Sequence, residues 1–179
     1  MEDTVSVEKE VKTLLKVYQI DILINCAGVG VFEPHEELSS KTIQKLIAVN
    51  LTAPILLTNL CLRSLKKTQG RVINISSIEA TRHAKFSALY TATKSGLRDF
   101  SLTLFEELRK SGVGVTSINP DLTQTNFFDN LKFKPSSQKD TYIDPNDIAN
   151  IVEEIIRFNS VITDITIRPQ KFAIEKRVK

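Results

Sequence analysis

A tyrosine and a lysine stand four residues apart in the stretch FSALYTATKSGL, as Tyr90 and Lys94. Residues at i and i+4 lie on one face of a helix, one turn apart. A phenol, with an ordinary pKa of about 10, is a poor acid or base at neutral pH, and a nearby ammonium group favours its ionised form. We therefore expect Lys94 to lower the pKa of Tyr90 and to fit it for general acid–base catalysis. The pair alone is weak evidence, since an isolated lysine is more often a surface residue.

The elements that would position this pair alternate between strands and helices. Apolar runs predict four strands, within residues 20–28, 70–77, 113–120 and 164–169. Helical patterns cover residues 7–18, about 39–65 and about 87–109, and a fourth helix starts at Asp144 and Pro145. Ser39 is the expected N-cap of the second helix, and Pro54 should bend or interrupt it. The alternation predicts an α/β fold with a mostly parallel sheet, in one domain over residues 1–179.

Polar residues follow the predicted strands, where open α/β sheets bind their ligands. Ser77 ends one strand thirteen residues before Tyr90, so a short loop could return over the strand end and bring the two hydroxyls together. Each residue also has a simpler interpretation. Ser77 could cap a strand or turn, and Asn50 could be a buried polar residue at a helix kink.

Several motifs occur in order along essentially the whole chain. They are Asn25-Cys26-Ala27-Gly28, Asn50 within VNLTAP, Ser77 after INIS, Tyr90 with Lys94, and Pro120 followed by Thr125. Together they make the sequence resemble the short-chain dehydrogenase/reductase family. The resemblance implies a Rossmann-like doubly wound parallel sheet. It also implies an oxidoreductase that transfers a hydride between NAD or NADP and a small carbonyl or secondary alcohol substrate.

The resemblance also implies a role for each residue. Tyr90 exchanges a proton with the substrate oxygen, Ser77 hydrogen-bonds that oxygen, Lys94 holds the hydroxyls of the nicotinamide ribose, and Asn50 supports a water relay to Lys94. The residues expected to contact the cofactor are Asn25, Ala27, Gly28, Tyr90, Lys94, Pro120, Thr123 and Thr125. The long helices at about 39–65 and 87–109 are the expected contact between subunits of a homo-oligomer.

The largest departure from the family pattern concerns glycine. The family's cofactor half begins with a strand and a glycine-rich turn, and none of the six glycines here forms such a turn. We therefore expect an N-terminally truncated Rossmann domain of about four strands, with strand 20–28 as an apolar edge. We also expect the chain as given to be inactive. The alternative function is that of a non-catalytic remnant that binds a full-length relative.

Smaller departures lie at the predicted site. Asp121 follows Pro120 where the family usually has glycine, and its side chain should crowd the nicotinamide or shift the loop. Cys26 replaces the second asparagine of the common motif, and Thr123 replaces a valine or isoleucine. Arg82 and His83 are expected in a solvated loop. Substrate choice should depend on residues 121–142 and on Phe86, Phe127 and Phe128.

Composition narrows the class of protein. A net charge of +3 with interspersed signs gives no support for nucleic-acid binding. Two cysteines and two histidines lack metal-ligand spacing, so we expect no metal, reduced thiols and a cytoplasmic location. The uncharged run 46–62 contains a proline and several polar residues, so it predicts a helix buried on most sides, inside the fold or at a subunit contact, rather than a membrane span. The basic C-terminal tail, residues 171–179, is expected to be solvated.

Overall fold

The computed structural model describes residues 4–177 of the chain. Its helices are α1 (Thr4–Leu14), α2 (Ser40–Ile47), α3 (Ala53–Thr68), α4 (Ala88–Leu108) and α5 (Pro145–Arg157). Its strands are β1 (Ile22–Asn25), β2 (Arg71–Ile75), β3 (Gly114–Pro120), β4 (Phe133–Pro135), β5 (Asp164–Ile167) and β6 (Ile174–Lys176).

Four strands form one parallel sheet in the order β1-β2-β3-β5. Parallel strands covered on both faces are apolar along their length, and β3 is buried at every position from Gly114 to Asn119. A cluster on one face joins α3 and α4 to the sheet through Leu65, Leu104 and Val115. A cluster on the other face includes Ile118 and, from α5, Ile155. Helices therefore cover both faces, and the predicted doubly wound α/β fold with four parallel strands is confirmed.

The predicted long helix is continuous but changes its geometry. Ser39 caps α2, where its hydroxyl accepts from the Thr42 amide at 3.1 Å, as predicted. A π-helical turn, Ala48–Thr52, then leads into α3, which has Pro54 in its first turn. Proline lacks the N–H of the helical hydrogen bond, so the interruption predicted at this point is present and takes the form of a π turn.

The helical run Ser40–Thr68 is long and apolar enough to cross a membrane, by length and composition only. Within the single chain, 39% of its most apolar window is buried, and the expected subunit contact would cover more of it. The reason is that Leu46 and Leu65 pack into the core, whereas Ile47 and Ile55 are exposed. Core helices of globular proteins pass the same test of length and composition.

The C-terminal segment departs from the expectation of a solvated tail. Strand β6 lies within it and pairs in antiparallel fashion with β4, which arises in the region predicted to be irregular. Glu175 of β6 accepts from the Ser137 amide at 2.9 Å and pairs with Lys134 at 3.1 Å. Both strands have three residues, too few to show the alternating pattern that identifies a strand. The pairing ties the segment after β3 to the end of the chain.

Strand β1 occupies the edge of the parallel sheet within residues 4–177. Ile22 and Ile24 are 40% and 44% exposed. The expected apolar edge is therefore present in the described part of the chain. Helix α1, which precedes β1, ends at Leu14 rather than at the predicted residue 18, and Tyr18 is exposed.

Candidate active site

Ser77 and Tyr90 are brought together at the carboxyl edge of the sheet. Ser77 follows β2 and caps a short 3₁₀ turn, where its hydroxyl oxygen accepts from the Glu79 amide at 3.2 Å. Tyr90 lies in the first turn of α4, and its phenol is hydrogen-bonded to the Ser77 side chain. Because Ser77 already accepts from a backbone amide, its own hydrogen is free to be donated to an oxygen at this point.

Burial controls the protonation of the tyrosine. Desolvation raises the pKa of Tyr90 to about 12, the hydrogen bond from Ser77 opposes this rise, and the nearby charge of Glu79 adds to it. The expectation that Lys94 lowers this pKa is therefore wrong for the protein without ligands. The Lys94 ammonium is 6.0 Å from the centroid of the tyrosine ring and donates to the Ile75 carbonyl at 2.8 Å. At neutral pH the phenol is protonated.

Lys94 is itself a buried cation, only 3% exposed. Desolvation lowers the pKa of its ammonium from 10.5 to about 8, and the nearby thiol of Cys26 partly opposes this shift. Burial penalises the charged form of a lysine because water no longer solvates it. The ammonium has three donors and makes one hydrogen bond, to Ile75, within the described residues.

Asn50 holds the loop after β1 against α4. Its side-chain amide donates to the Val29 carbonyl at 2.8 Å and to Thr93 Oγ1 at 3.2 Å, and its oxygen accepts from the Val29 amide at 2.9 Å. Asn50 is fully buried within the π turn, and π turns are frequent at functional sites. A Cβ on Gly28 would lie 3.3 Å from Lys94 Nζ, so a glycine here allows the chain to pass close to the ammonium.

The other predicted cofactor contacts lie on the same edge, because the parallel strands β1 and β3 end there. Asn25 ends β1, donates to Asn74 Oδ1 at 2.7 Å, and its buried side-chain oxygen has no hydrogen-bond partner in the described structure. Ala27 is exposed in the loop that follows. Pro120 ends β3, Thr123 bonds the Asp121 carbonyl, and Thr125 Oγ1 accepts from a backbone amide.

Asp121 sits in a network of charges next to these residues. Its side chain is 1% exposed and pairs with Arg168 at 3.2 Å and with Arg82 at 3.6 Å. Arg82 also bonds the buried carboxylate of Glu79 at 2.9 Å. The loop is solvated as expected, but the Arg82 side chain is only 35% exposed, because two buried carboxylates require a cationic partner. His83 is exposed, as predicted.

Aromatic rings cover Tyr90. Phe32 and Phe127 contact it with ring centroids 5.1 Å and 5.9 Å away. The sequence singled out Phe127 but not Phe32, and the only available signal was a phenylalanine shortly after a strand end. Phe86, also singled out, is 46% exposed and has a left-handed backbone with φ of 65°.

No group of three or more His, Cys, Asp or Glu side chains that could hold a metal ion occurs among residues 4–177. Both cysteines are free thiols, Cys26 exposed and Cys61 buried. The side chains that meet beside Tyr90 are a phenol, a hydroxyl and an ammonium. The unpaired Asn25 oxygen and the close approach at Gly28 fit a polar ligand with hydroxyl and amide groups.

Comparison with protein families places these motifs in context. A family model described as short chain dehydrogenase matches residues 1–135. The chain is 32% identical over 161 residues to an uncharacterized oxidoreductase of Staphylococcus saprophyticus, which covers 88% of this chain and 67% of that protein. It is 33% identical over 133 residues to a 3-oxoacyl-[acyl-carrier-protein] reductase of Buchnera aphidicola, covering 73% of this chain and 54% of that one.

Solved structures share the fold. An alcohol dehydrogenase from the archaeon Thermococcus sibiricus, complexed with 5-hydroxy-NADP, superposes with a TM-score of 0.84 at 26% identity, over 94% of this chain and 72% of that one. A 4-hydroxyisoleucine dehydrogenase complexed with NADH superposes with a TM-score of 0.80 at 26% identity, over 94% of this chain and 76% of that one. Both of these neighbours bind a nicotinamide cofactor or a derivative of it.

Proposed function

Because the chain belongs to the short-chain dehydrogenase family of oxidoreductases, we propose that it interconverts a carbonyl compound and its secondary alcohol with an NAD(P) cofactor. The observation that carries the proposal is the buried Tyr90 phenol, hydrogen-bonded to Ser77 and followed one helical turn later by the buried Lys94. The nicotinamide cofactor, when bound, supplies or accepts the hydride.

The tyrosine acts as the general acid when a carbonyl is reduced. Its pKa of about 12 keeps the phenol protonated at neutral pH, so it has a proton to donate to the carbonyl oxygen. When the substrate is bound, Ser77 donates its one hydroxyl hydrogen to the substrate oxygen instead of the phenol and orients that oxygen. As Tyr90 loses its proton, the Lys94 ammonium stabilises the phenolate that forms. Oxidation of the alcohol follows the reverse path.

The remaining residues hold the cofactor. Lys94 has unused donors for the ribose hydroxyls, and Gly28 leaves the space beside its ammonium open. The unpaired buried oxygen of Asn25 offers an acceptor at the same edge. The segment from Pro120 to Thr125 contributes backbone and hydroxyl groups on the opposite side of the β2 end. Asn50 keeps the loop after β1 in place and supports a water relay to Lys94.

Association through helices is part of the proposal. The run α2–α3 carries exposed Ile47 and Ile55, which favours a homo-oligomer that pairs through residues 39–65 and 87–109. Light scattering should show a multimer that Ile55→Glu dissociates, and a monomeric wild type would contradict it. We place the enzyme in the cytoplasm, supported by its two free cysteines.

A second function is favoured by the exposed edge of β1. Ile22 and Ile24, with the open backbone of this edge strand, could pair with a strand of a full-length relative, as in other additions to sheet edges. In that case the chain is a non-catalytic binding partner. It would then neither bind NADH or NADPH nor turn over any carbonyl compound by itself.

The two functions are separated by cofactor binding and turnover. NADH and NADPH are titrated into the purified chain by fluorescence, and their oxidation with a panel of ketones is followed by absorbance. The oxidoreductase function predicts saturable binding that Lys94→Ala weakens, and a loss of turnover of about 100-fold or more in Tyr90→Phe, whereas the inactivity expected from the missing glycine-rich turn predicts neither. Tyr18→Phe, at an exposed position, is the matched control. A folded chain without cofactor binding would refute the enzyme and support the partner function.

A further inference from the structure

Five aromatic side chains form a closed ring that includes the proposed catalytic tyrosine. Adjacent members contact one another with ring centroids between 5.1 and 5.9 Å apart. In order around the ring they are Tyr90, Phe32, Phe133, Phe128 and Phe127, which closes back on Tyr90. Tilted and edge-to-face contacts at these distances are favourable for aromatic pairs.

The ring is assembled from four separate parts of the chain. Tyr90 comes from α4, Phe32 from the loop after β1, Phe127 and Phe128 from a 3₁₀ turn after β3, and Phe133 from β4. An ion pair between the neighbours Glu33 and Lys132, at 3.0 Å, joins two of these parts. Because four distant segments converge on one phenol, the aromatic ring around Tyr90 is a feature of the tertiary fold rather than of one local segment.

Gly30 makes the approach of two rings possible. A Cβ at this position would lie 2.5 Å from Phe127 Cζ and 3.0 Å from Phe32 Cε2. The absence of a side chain at Gly30 therefore lets both phenyl rings reach Tyr90. Glycine is required at position 30 because any side chain would collide with the two phenyl rings, not because the backbone there has an unusual conformation.

Access to the phenol is restricted by these rings, since Tyr90 is 6% exposed. A compound whose oxygen reaches the phenol comes against the Phe32 and Phe127 rings, which contact the tyrosine ring. Phe128 is buried, whereas Phe127 is partly exposed on a surface turn. Phe32 is also partly exposed, but Asn50 holds its loop through both backbone groups of Val29. Phe127 lies in a short turn flanked by exposed residues, so we take it as the ring that moves aside and Phe32 as the wall of the site.

Resting on the proposed function, we propose that the substrate is a ketone with an aryl group next to its carbonyl, or the matching alcohol. Its ring takes the place of the Phe127 phenyl, against Phe32 and Tyr90. An aryl group keeps the aromatic contacts that the displaced side chain made. A carboxylate or phosphate in this position would lose its hydration without a cationic partner, because Lys132 beside the ring is paired with Glu33 and the proposed function assigns the remaining donors of Lys94 to the cofactor ribose.

The reaction balances with the groups already named. The carbonyl carbon gains the hydride of the reduced nicotinamide, and the carbonyl oxygen gains the proton of Tyr90. The products are the aryl secondary alcohol, the oxidised cofactor and a phenolate that is reprotonated from solvent. The aryl group takes no part in the bond changes and only positions the carbonyl next to the phenol.

Binding can be tested without cofactor or turnover. Acetophenone and pyruvate are titrated into the purified chain and followed by saturation-transfer NMR. We expect acetophenone to bind at least about tenfold more tightly than pyruvate. Phe127→Ala should tighten acetophenone binding, because the competing ring is gone. Phe32→Ala should weaken it by roughly three- to tenfold, because a wall of the site is lost.

Controls separate this proposal from a general loss of structure. Phe158→Ala removes an exposed ring and should change nothing. Circular dichroism first establishes that Phe32→Ala is folded. Phe32→Leu keeps most of the side-chain volume, so it should weaken acetophenone binding less than Phe32→Ala does. Equal affinity for pyruvate, or an unchanged acetophenone affinity in Phe127→Ala, would overturn the proposal.

The outcome also distinguishes the substrate class from the proposed function. Reduction of pyruvate but not acetophenone would refute the aryl substrate and leave the oxidoreductase intact. Acetophenone binding that responds to both phenylalanine variants, with no Tyr90-dependent hydride transfer, would support the aryl site and refute the oxidoreductase.

Discussion

Replacing Lys94 with methionine should change how the stability of the protein depends on pH. The lysine is buried, and burial lowers the pKa of its ammonium from 10.5 to about 8. Below pH 8 it is charged in both the native and the unfolded state, and its desolvation costs stability. Methionine has a similar length, stays neutral and removes that cost. The comparison therefore isolates one titrating group at the proposed active site.

The magnitude follows from proton linkage. Between pH 8 and 10.5 the unfolded chain keeps the lysine proton and the native chain has lost it, so the unfolded state binds more protons. The wild-type free energy of unfolding should then rise with pH by up to about 1.4 kcal/mol per pH unit. Because the native lysine is half deprotonated at pH 8, the gain between pH 8 and pH 9.5 is about 1.5 kcal/mol. Lys94→Met should lack this rise.

The assay is urea unfolding at pH 7, 8, 9 and 9.5, analysed as the difference between the two proteins. The lost hydrogen bond to the Ile75 carbonyl shifts the difference by a constant and leaves its slope unchanged. The raised pKa of Tyr90, about 12, acts above pH 10 and with the opposite sign, so the range stops below it. The raised pKa of the Cys61 thiol is common to both proteins.

A difference that stays constant from pH 7 to pH 9.5 would refute the reasoning. It would mean that the lysine is charged in both states over this range, so that burial does not lower its pKa. Lys94→Arg serves as a second comparison, because guanidinium stays protonated throughout. It should show no rise with pH, like the methionine variant, although it keeps a positive charge.

Three further substitutions test the packing around the site. Asn50→Ala should lower the free energy of unfolding by about 1–3 kcal/mol in urea titrations, because it unpairs both backbone groups of Val29; an unchanged midpoint would contradict this. Asp121→Asn should destabilise by about 1–3 kcal/mol, because two arginines lose a buried carboxylate, and a more stable variant would show that the carboxylate is a net cost. Gly30→Ala should lower stability by about 1–3 kcal/mol through its contact with Phe127, and Gly30→Ala combined with Phe127→Ala should recover most of that loss.

The short strands β4 and β6 could not be predicted from sequence patterns. The long apolar runs and the caps at Ser39 and Asp144 identify the main helices and strands, because these signals extend over many residues or use a specific side chain. Strands β4 and β6 pair over three residues each and are stabilised by contacts between distant segments, such as Glu175 with Lys134. Such pairing depends on where the chain returns in space, which local patterns do not encode.

The electrostatic expectations show the same division. The sequence showed that Lys94 lies one helical turn from Tyr90. It did not show how deeply either side chain would be buried. Burial determines the direction of both pKa shifts and reverses the one expected for the phenol. The pairing of Arg82 with Asp121 likewise joins residues that are far apart in sequence and meet only at the end of the sheet.

By itself, the amino-acid sequence determined the α/β class, the order of the main strands along the chain and which polar side chains follow each strand. These properties follow from hydrophobic periodicity and from the motifs that end each strand. Only the tertiary structure decided that Phe32 and Phe133 enclose Tyr90, that Asp121 is neutralised by two arginines, and that the end of the chain holds β4. The physical reason is that burial and long-range contact depend on how all the segments pack together, whereas patterning depends on neighbours in the chain.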